Sequence, residues 1–385
     1  MSSSRSSTEA AMRRTERIVK GFLGQAGIGV NGDSPWDIRV HDQRFYGRVL
    51  RDRSLGLGES YMEGWWDCDR LDQLFARLCA ARLDETAARR PIPKFLDALL
   101  EHLQNRQSRS RAGEVAEKHY DLDNRMFLSW LDRHTQYSCG YFAGTDDLDE
   151  AQERKLDLIC RKLSLSPGDE VLDVGCGWGG FCSFAAERYG CRVTGVNIAR
   201  EQVEHAREAC TDTGLDVAIL RRDYRELSGT FDKIVSIGMF EHVGSKNHKT
   251  FMRSIGNCLR AGGMFLLHTI GTNVTATGCD AWIRKYIFPN GDVPSLAQIA
   301  RAAEGIFVVE DVHNFGPHYD RTLMAWHERF EAAWPRLKKD YPEMFRRMWE
   351  YYLLSCAGAF RARALQVWQI VMTPMGTPQP ECRLT

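Results

Sequence analysis

A chain of 385 residues with 43% apolar side chains has room for two hydrophobic cores and reads as globular, which excludes fibrous and disordered classes. Lysine plus arginine equals aspartate plus glutamate at 51 each, so no overall field favours nucleic acid, and attraction to an anionic membrane has to come from local patches. No stretch approaches the roughly 18 apolar residues of a spanning helix, and the opening MSSSRSSTEAAMRRTER lacks the apolar core of a leader, so the sequence predicts a cytoplasmic protein. Its twelve cysteines are scattered without a C-x-x-C pair, as expected for reduced thiols that mostly pack as small hydrophobes.

After a polar arm, residues 18–30 and 36–40 suggest a short helix and a strand, parted by the turn signal Asn31-Gly32-Asp33. Residues 55–67, LGLGESYMEGWWD, read as a packed turn whose paired Trp65 and Trp66 fill core, with a lipid-facing anchor as the other reading. Leu71, Leu74, Phe75 and Leu78 repeat at helical spacing. Residues 82–111 are dense in arginine and contain Pro91 and Pro93, which marks a bridge between domains; its arginines suit a solvated face or contact with lipid phosphates. The division is thus 1–95 for an N-terminal α+β domain, 96–117 for a linker and 118–385 for a larger domain.

From residue 152 helices and strands alternate: helices over 152–163, 181–189, 201–211 and 249–259, strands over 171–174, 191–197, 217–220, 231–238 and 263–269. That alternation predicts an α/β fold, a parallel sheet covered on both faces, whose ligands bind beyond the carboxyl ends of the strands. The first strand runs into VLDVGCGWGG at 171–180. Asp173 precedes a turn built on Gly175, Cys176, Gly177, Trp178 and Gly179, and such glycines let a ligand approach the backbone. The spacing departs from the dinucleotide fingerprint and matches the S-adenosylmethionine (SAM) loop of class I methyltransferases; a nicotinamide or flavin site, or a turn with no ligand, are the rival readings. Farther on, Leu323, Trp326, Phe330 and Trp334 form a helical core stripe, 344–360 is a helix with a basic-aromatic face that suits a bilayer or packing on the sheet, and 365–372 reads as an edge strand.

Several blocks in this order resemble the cyclopropane-fatty-acyl-phospholipid synthases and their mycolic acid relatives: KHYDLDNRMF at 118–127, QYSCGYF at 136–142, the glycine turn, SIGMFEHVG at 236–244, LLHTIG at 266–271, WIRKYIFPNG at 282–291 and HNFGPHYDRTLMAW at 313–326. With LGLGESYMEGWWDCDRLD and CAGAFRAR the likeness covers nearly the whole chain. It implies a Rossmann-like, class I SAM-dependent catalytic domain behind a smaller N-terminal domain that serves lipid docking and dimerisation. It also implies a homodimer that contacts the inner membrane leaflet peripherally and acts on unsaturated phospholipids.

Residue by residue, the resemblance assigns Gly175, Gly177 and Trp178 to the methionine end of SAM, and Tyr120, Tyr137 and Ser138 to closure over it. It assigns Asn197, Ile198 and Gln202 to the ribose, with Asn197 standing where this family more often has threonine, and Tyr224 and Arg225 to the adenine edge. Asp223 is added on chemical grounds, because a carboxylate after the third strand accepts from an adenine amine. The reaction implied delivers a methyl to a cis double bond and then removes a proton so that a three-membered ring closes. In the resembled enzymes the base is a bicarbonate held by positions matching Cys139, Glu241, His268, Ile270 and Tyr319, with Glu241 itself as the alternative base.

An isolated alkene is a weak nucleophile, so a dry, well-oriented site and aromatic faces for the cationic carbon are what the protein can contribute. Tyr137, Phe142, Phe240, Tyr286, Phe315 and Tyr319 are the aromatic candidates, each also suited to plain packing. Cys356 matches a cysteine sometimes treated as catalytic; an alkene gives a thiolate nothing to attack, which favours packing. Two other outcomes stay open: a methyl-branched or methylene product from the same SAM chemistry, and a non-catalytic lipid- or SAM-binding regulator.

Overall fold

The computed structural model describes residues 2–81, 124–211, 213–275 and 278–384, with side chains from residue 12 onward. The expected bridge, the boundary at 95, the linker 96–117 and Tyr120 lie outside the described residues. In chain order the described elements are α1 (Ser2–Gln25), β1 (Arg39–Val40), α2 (Arg44–Met62), β2 (Trp66–Asp67), α3 (Leu71–Ala80), α4 (Asn124–Leu128), α5 (Leu148–Lys162), β3 (Glu170–Val174), α6 (Gly180–Tyr189), β4 (Arg192–Asn197), α7 (Arg200–Cys210) and β5 (Val217–Arg221). Then come β6 (Phe231–Ile237), α8 (His248–Cys258), β7 (Leu259–Thr272), α9 (Ala281–Tyr286), α10 (Leu296–Ala303), β8 (Phe307–Asn314), α11 (Pro317–Leu337), α12 (Glu343–Arg361) and β9 (Leu365–Pro374).

The chain forms two compact units. One combines Met1–Leu103 with Asp280–Pro289 and Leu323–Ala364, and the other comprises Gln104–Cys279, Asn290–Thr322 and Leu365–Thr385. The unit that holds the N-terminal residues therefore also draws in segments that the sequence reading places within 118–385.

In the first unit the expected turn at 55–67 is mostly helix: α2 is broken at Arg53, whose φ of 53° is not helical, and its second part runs through Gly56 and Gly58 to Met62 before the chain turns at Glu63 and Gly64. Two glycines in a helix interior lower its propensity, but here they admit neighbours: a Cβ on Gly58 would overlap the indole of Trp282 from α9. Trp66 is fully buried, with its indole N–H on the Leu57 carbonyl at 3.1 Å, as core packing requires. Helix α12 rests its apolar side on α2 and α3, with Tyr351 meeting Tyr61 at 5.6 Å and Phe75 at 5.1 Å.

The second unit is a seven-stranded sheet in the order β5-β4-β3-β6-β7-β9-β8. Strands β5, β4, β3, β6 and β7 are parallel, whereas β9 is antiparallel to both β7 and β8. The expected edge strand is thus interior, and the edge belongs to β8, which the sequence reading passed over. Strand alternation splits the core. Val171 and Val193 join Leu156, Ile159, Phe181 and Val203 on one face, while Leu172, Val174 and Val196 join Phe251, Ile255 and Ile299 on the other.

Chain order runs outward from β3 through β4 to β5, then returns to β6 on the other side of β3, so the strand order reverses between β3 and β6. In open sheets the crevice beyond that reversal is where ligands lodge. In the helical unit, Gly58→Ala should destabilise by about 1–3 kcal/mol, because the indole it strikes is buried and cannot retreat; thermal unfolding of the full chain measures this, and an unchanged midpoint would contradict the packing described.

Candidate active site

The turn after β3 is shaped by backbone that only glycine adopts easily. Gly175, Gly177 and Gly179 have φ of 88°, 54° and 83°. Gly175 is further constrained by Met239, whose Cγ would lie 2.6 Å from an added Cβ, but Gly177 faces open space. The turn is anchored to the next strand by the N–H groups of Gly175 and Cys176, both on the Val196 carbonyl at 2.8 and 3.1 Å. Trp178 is fixed by its indole N–H on Asn124 Oδ1 at 2.8 Å and by the Phe127 ring 5.3 Å away. Asp173 lies beneath the turn with Cys182 Sγ 3.5 Å from its Oδ2 and its Oδ1 without a partner, and burial raises its carboxyl to about 7.

At the end of β4, Asn197 ties the next loop together. Its amide donates to the Gly177 carbonyl at 3.3 Å and to Gln202 Oε1 at 2.8 Å, while its Oδ1 accepts from the Ile198 N–H at 2.8 Å. A carboxamide makes all three bonds because it carries two donors and an acceptor, and it thereby orders the loop. After β5, Asp223 accepts from the Arg225 N–H at 2.9 Å and pairs with its guanidinium at 3.2 Å, and that guanidinium also lies 4.8 Å over the Tyr224 ring. These three residues form one rigid corner.

The turn after β6 carries Glu241, which is 6% exposed. Its Oε1 accepts from the Ile270 N–H on β7 at 2.5 Å, and among the described residues its Oε2 finds no hydrogen-bond partner. Burial pushes its carboxyl up to about 7, against the opposing pull of the Ile270 N–H. The turn itself is held by Asp292, whose N–H donates to the Glu241 carbonyl at 2.9 Å and whose Oδ2 accepts from the Ser245 N–H at 2.8 Å.

Next to it, His268 precedes Ile270 by two residues on β7 and therefore shares its face. Burial, with Lys155 and Lys162 adding to it, holds its imidazole well below the usual range, so it is neutral. The Gln369 amide on β9 lies 3.4 Å from His268 Nδ1 and can only donate, which leaves the ring proton on Nε2. Phe315 stands edge-on to the same ring at 5.4 Å, and Tyr319, on the first turn of α11, is 7% exposed.

Segment 136–142 completes the second unit's site. Cys139 is fully buried, its thiol raised by burial, and its neighbour Gly140 donates its N–H to Thr322 Oγ1 at 3.0 Å. Tyr137 packs on Phe127 at 5.3 Å and Trp130 at 5.8 Å, Phe142 carries the Arg321 guanidinium 4.4 Å over its ring, and Phe240 is core, stacked on His248 at 4.3 Å. Tyr286 and Cys356 belong to the helical unit, where the Tyr286 hydroxyl donates to Glu59 at 2.8 Å and Cys356 sits half-buried on α12.

Sequence reasoning missed the polar residues that support this site: Asp132, Gln136, Gln152, Lys155, Asp292, Thr322 and Gln369. Lys155 offered a signal, since it falls on the same helical stripe as Leu156 and Ile159, where an amine has no reason to be unless it meets acceptors. Among the described residues no group of histidine, cysteine or carboxylate side chains is placed to hold a metal.

Two measurements test this geometry. A Cβ on Gly180 would drive into the His134 carbonyl, which is backbone, so Gly180→Ala should cost about 1–3 kcal/mol and loosen segment 132–140, seen as faster amide exchange there. Glu241 holds its proton in the fold up to about 7, whereas an unfolded glutamate releases it near 4.5, so its contribution to stability falls as pH rises through that window. Glu241→Gln should therefore be more stable than the wild type at pH 8, by about 1–3 kcal/mol, and no less stable at pH 4; equal stability at pH 8 would contradict the burial argument.

The sequence profile described as mycolic acid cyclopropane synthetase matches residues 107–370. The cyclopropane-fatty-acyl-phospholipid synthase of Escherichia coli (strain K12) is 52% identical over 360 residues, 93% of each chain, and a probable fatty acid methyltransferase of Pseudomonas putida is 34% identical over 88% of each. Among solved structures, the cyclopropane synthase MmaA2 of Mycobacterium tuberculosis aligns with a TM-score of 0.64 at 31% identity, covering 68% of this chain and 97% of that one. The mycolic acid cyclopropane synthase CmaA1, complexed with SAH and CTAB, aligns with the same figures. Strand order, glycine turn and full-length similarity agree: the chain belongs to the cyclopropane-fatty-acyl-phospholipid and mycolic acid cyclopropane synthase family of SAM-dependent methyltransferases, with a class I catalytic fold.

Proposed function

We propose that the protein converts cis double bonds in phospholipid acyl chains to cyclopropane rings. The observation that carries this reading is the Glu241 carboxylate, buried at the crevice between β3 and β6 with one oxygen on the Ile270 N–H and the other unspent. SAM, when bound, supplies a methyl carbon on a positive sulfur. The open space at Gly177, with Trp178 beside it and the Asn197–Gln202 and Asp223–Arg225 corners beyond, fits its amino acid, ribose and base in turn.

Chemistry then falls to the chain's own groups. The alkene π electrons form a bond to the methyl carbon as its bond to sulfur breaks, and the positive charge moves to the second alkene carbon. Phe315, Tyr137 and Tyr319 would offer ring faces that tolerate that charge without capturing it. Loss of one proton from the delivered methyl lets that C–H pair close the ring, and Glu241 lies where it can accept the proton directly or act through a held base. Cys139, Glu241, His268, Ile270 and Tyr319 would hold a bicarbonate, which supplies such a base. The free Glu241 Oε2 and the Nε2–H of a neutral His268 suit it, but the Ile270 N–H already serves Glu241 and would have to be shared.

Docking on the inner leaflet from the cytoplasm and assembly as a homodimer belong to the same reading. Arginine–tryptophan stacks in the helical unit support the first, with Arg44 and Arg48 over Trp65 at 4.4 and 4.8 Å and Arg77 over Trp36 at 3.7 Å, since such pairs suit a polar-apolar boundary. Among the described residues no helix is long and apolar enough to cross a bilayer.

Lipid mass spectrometry tests the activity. Expression in a host rich in cis-unsaturated phospholipid should add one methylene per double bond, with fragments that place a ring, and Glu241→Gln should abolish the gain; unchanged lipid masses would overturn the reading, and methyl-branched fragments would favour the alternative product. Because Glu241 has to be ionised to take a proton and burial places it near 7, kcat/KM should rise between about pH 6 and about pH 8. A profile flat across that interval would exclude Glu241 from the proton path.

A further inference from the structure

Below segment 136–140 lies a polar cluster that the chemistry above leaves without a task. Helix α5 turns Gln152 and Lys155 inward among Leu156 and Ile159, and both polar residues are 0% exposed. The Lys155 ammonium donates to Gln136 Oε1 and, at 3.1 Å, to Ser138 Oγ. One turn earlier on the helix, Gln152 Nε2 donates to the Ser138 carbonyl at 2.8 Å and to the Gln136 carbonyl at 3.5 Å. Helix α5 thus grips this strip by two side chains and two carbonyls, on either side of Tyr137 and just before Cys139.

A buried amine is an expensive way to fill space, because removing an ammonium from water costs several kcal/mol unless partners return it. No ion pair returns it here: among the described residues Lys155 has two neutral oxygen acceptors and no carboxylate within salt-bridge reach. Asp132 and Asp173 favour its charge from farther away, as Cys139 does, while His134 and His268 are neutral; burial still lowers it to about 8. Methionine would fill the same volume without that cost, so the amine is explained by what it holds.

We propose that Lys155 is a positioning residue for methyl transfer, its ammonium fixing Gln136 and Ser138 so that Tyr137, Ser138 and Cys139 meet the SAM methyl and the alkene in a single geometry. This rests on the reading of the site given under Proposed function. Lys155 acts through Ser138 and Gln136 and touches neither the cofactor nor the acyl chain. Holding a reactive segment within a fraction of an ångström is worth orders of magnitude in rate.

The experiment is a double-mutant cycle on the full chain, with SAM affinity measured by calorimetry and turnover measured on vesicles of cis-unsaturated phospholipid. Lys155→Met removes the buried ammonium but leaves Gln136 Oε1 and Ser138 Oγ without that donor, so it should fold with a thermal midpoint at or below that of the wild type. It should lower kcat/KM for SAM by about 10–100-fold, while Ser138→Ala should lower it by about 5-fold or more. Because both act through one contact, the double variant should lose no more than about 3-fold beyond Lys155→Met. Multiplying losses, or a folded Lys155→Met within about twofold of wild type, would overturn the proposal. Should Lys155→Met fail to fold, Ser138→Ala decides alone, and wild-type kinetics there would overturn it. Calorimetry needs no lipid turnover, so weakened SAM binding by the variants supports the Lys155 role even where the wild-type product proves not to be a ring, and intact binding with intact turnover counts against it.

Discussion

Among the described residues one oxygen of the buried Glu241 carboxylate has no hydrogen-bond partner, and the elements around Glu241 make sense as the means of keeping it there. A buried carboxylate normally acquires partners for both oxygens or gives up its charge. Here the Ile270 N–H from β7 holds Oε1, while Asp292 secures the turn from behind through the Glu241 carbonyl and the Ser245 N–H. The fold thereby fixes the position of the group without neutralising its chemistry. The raised proton affinity follows directly from that burial, which penalises the charged form.

The parallel half of the sheet explains why the glycine turn comes to that carboxylate. Strands β3 and β6 are adjacent and parallel, so their C-terminal turns, at Gly175 and at Glu241, emerge side by side although 66 residues separate Gly175 from Glu241 (241 − 175). The antiparallel addition contributes differently. Strand β9 lies against β7 in a register that pairs His268 with Gln369, and that pairing selects the imidazole tautomer. Strand β9 arrives after α12 and is flanked on its other side by β8, which forms the edge.

Much of this was legible in the sequence because period and punctuation coincided. The strand before Gly175, the helices at 152–163 and 181–189 and the turns after β3, β4 and β5 could be placed from apolar spacing, whereas His268 and Ile270 lie inside β7, which runs past the expected end at 269. Family blocks supplied the rest of the site positions, and the structure brings Cys139, Glu241, His268, Ile270 and Tyr319 into one unit. What failed did so for physical reasons. Glycines in 55–67 suggested a turn, but they serve close packing against Trp282 inside a helix. The run 365–372, apolar on both faces but for Gln366 and Gln369, was the mark of a strand buried on both faces, not of an edge, while β8, with Val308, Val309 and Val312 exposed, was too irregular to stand out beside it.

The least legible feature was the interior polar scaffold, and its invisibility has a cause. Lys155 sat in the apolar stripe of α5 and passed as an ordinary helix residue, because spacing reports which face a side chain occupies and says nothing of what it will meet there. Its acceptors, Gln136 and Ser138, lie on a segment without regular structure, and no periodic signal connects them to a helix 14 to 19 residues away. Each of these groups would be destabilising alone and is tolerable only as a set, since an amine without acceptors or an amide without a donor forfeits its hydration for nothing. A network of that kind constrains the backbone more sharply than apolar packing does, because hydrogen bonds fix direction as well as distance. That is the property a methyl transfer to an unactivated carbon needs from the residues behind it: the substrate contributes little nucleophilicity, so precision in the protein has to carry the rate.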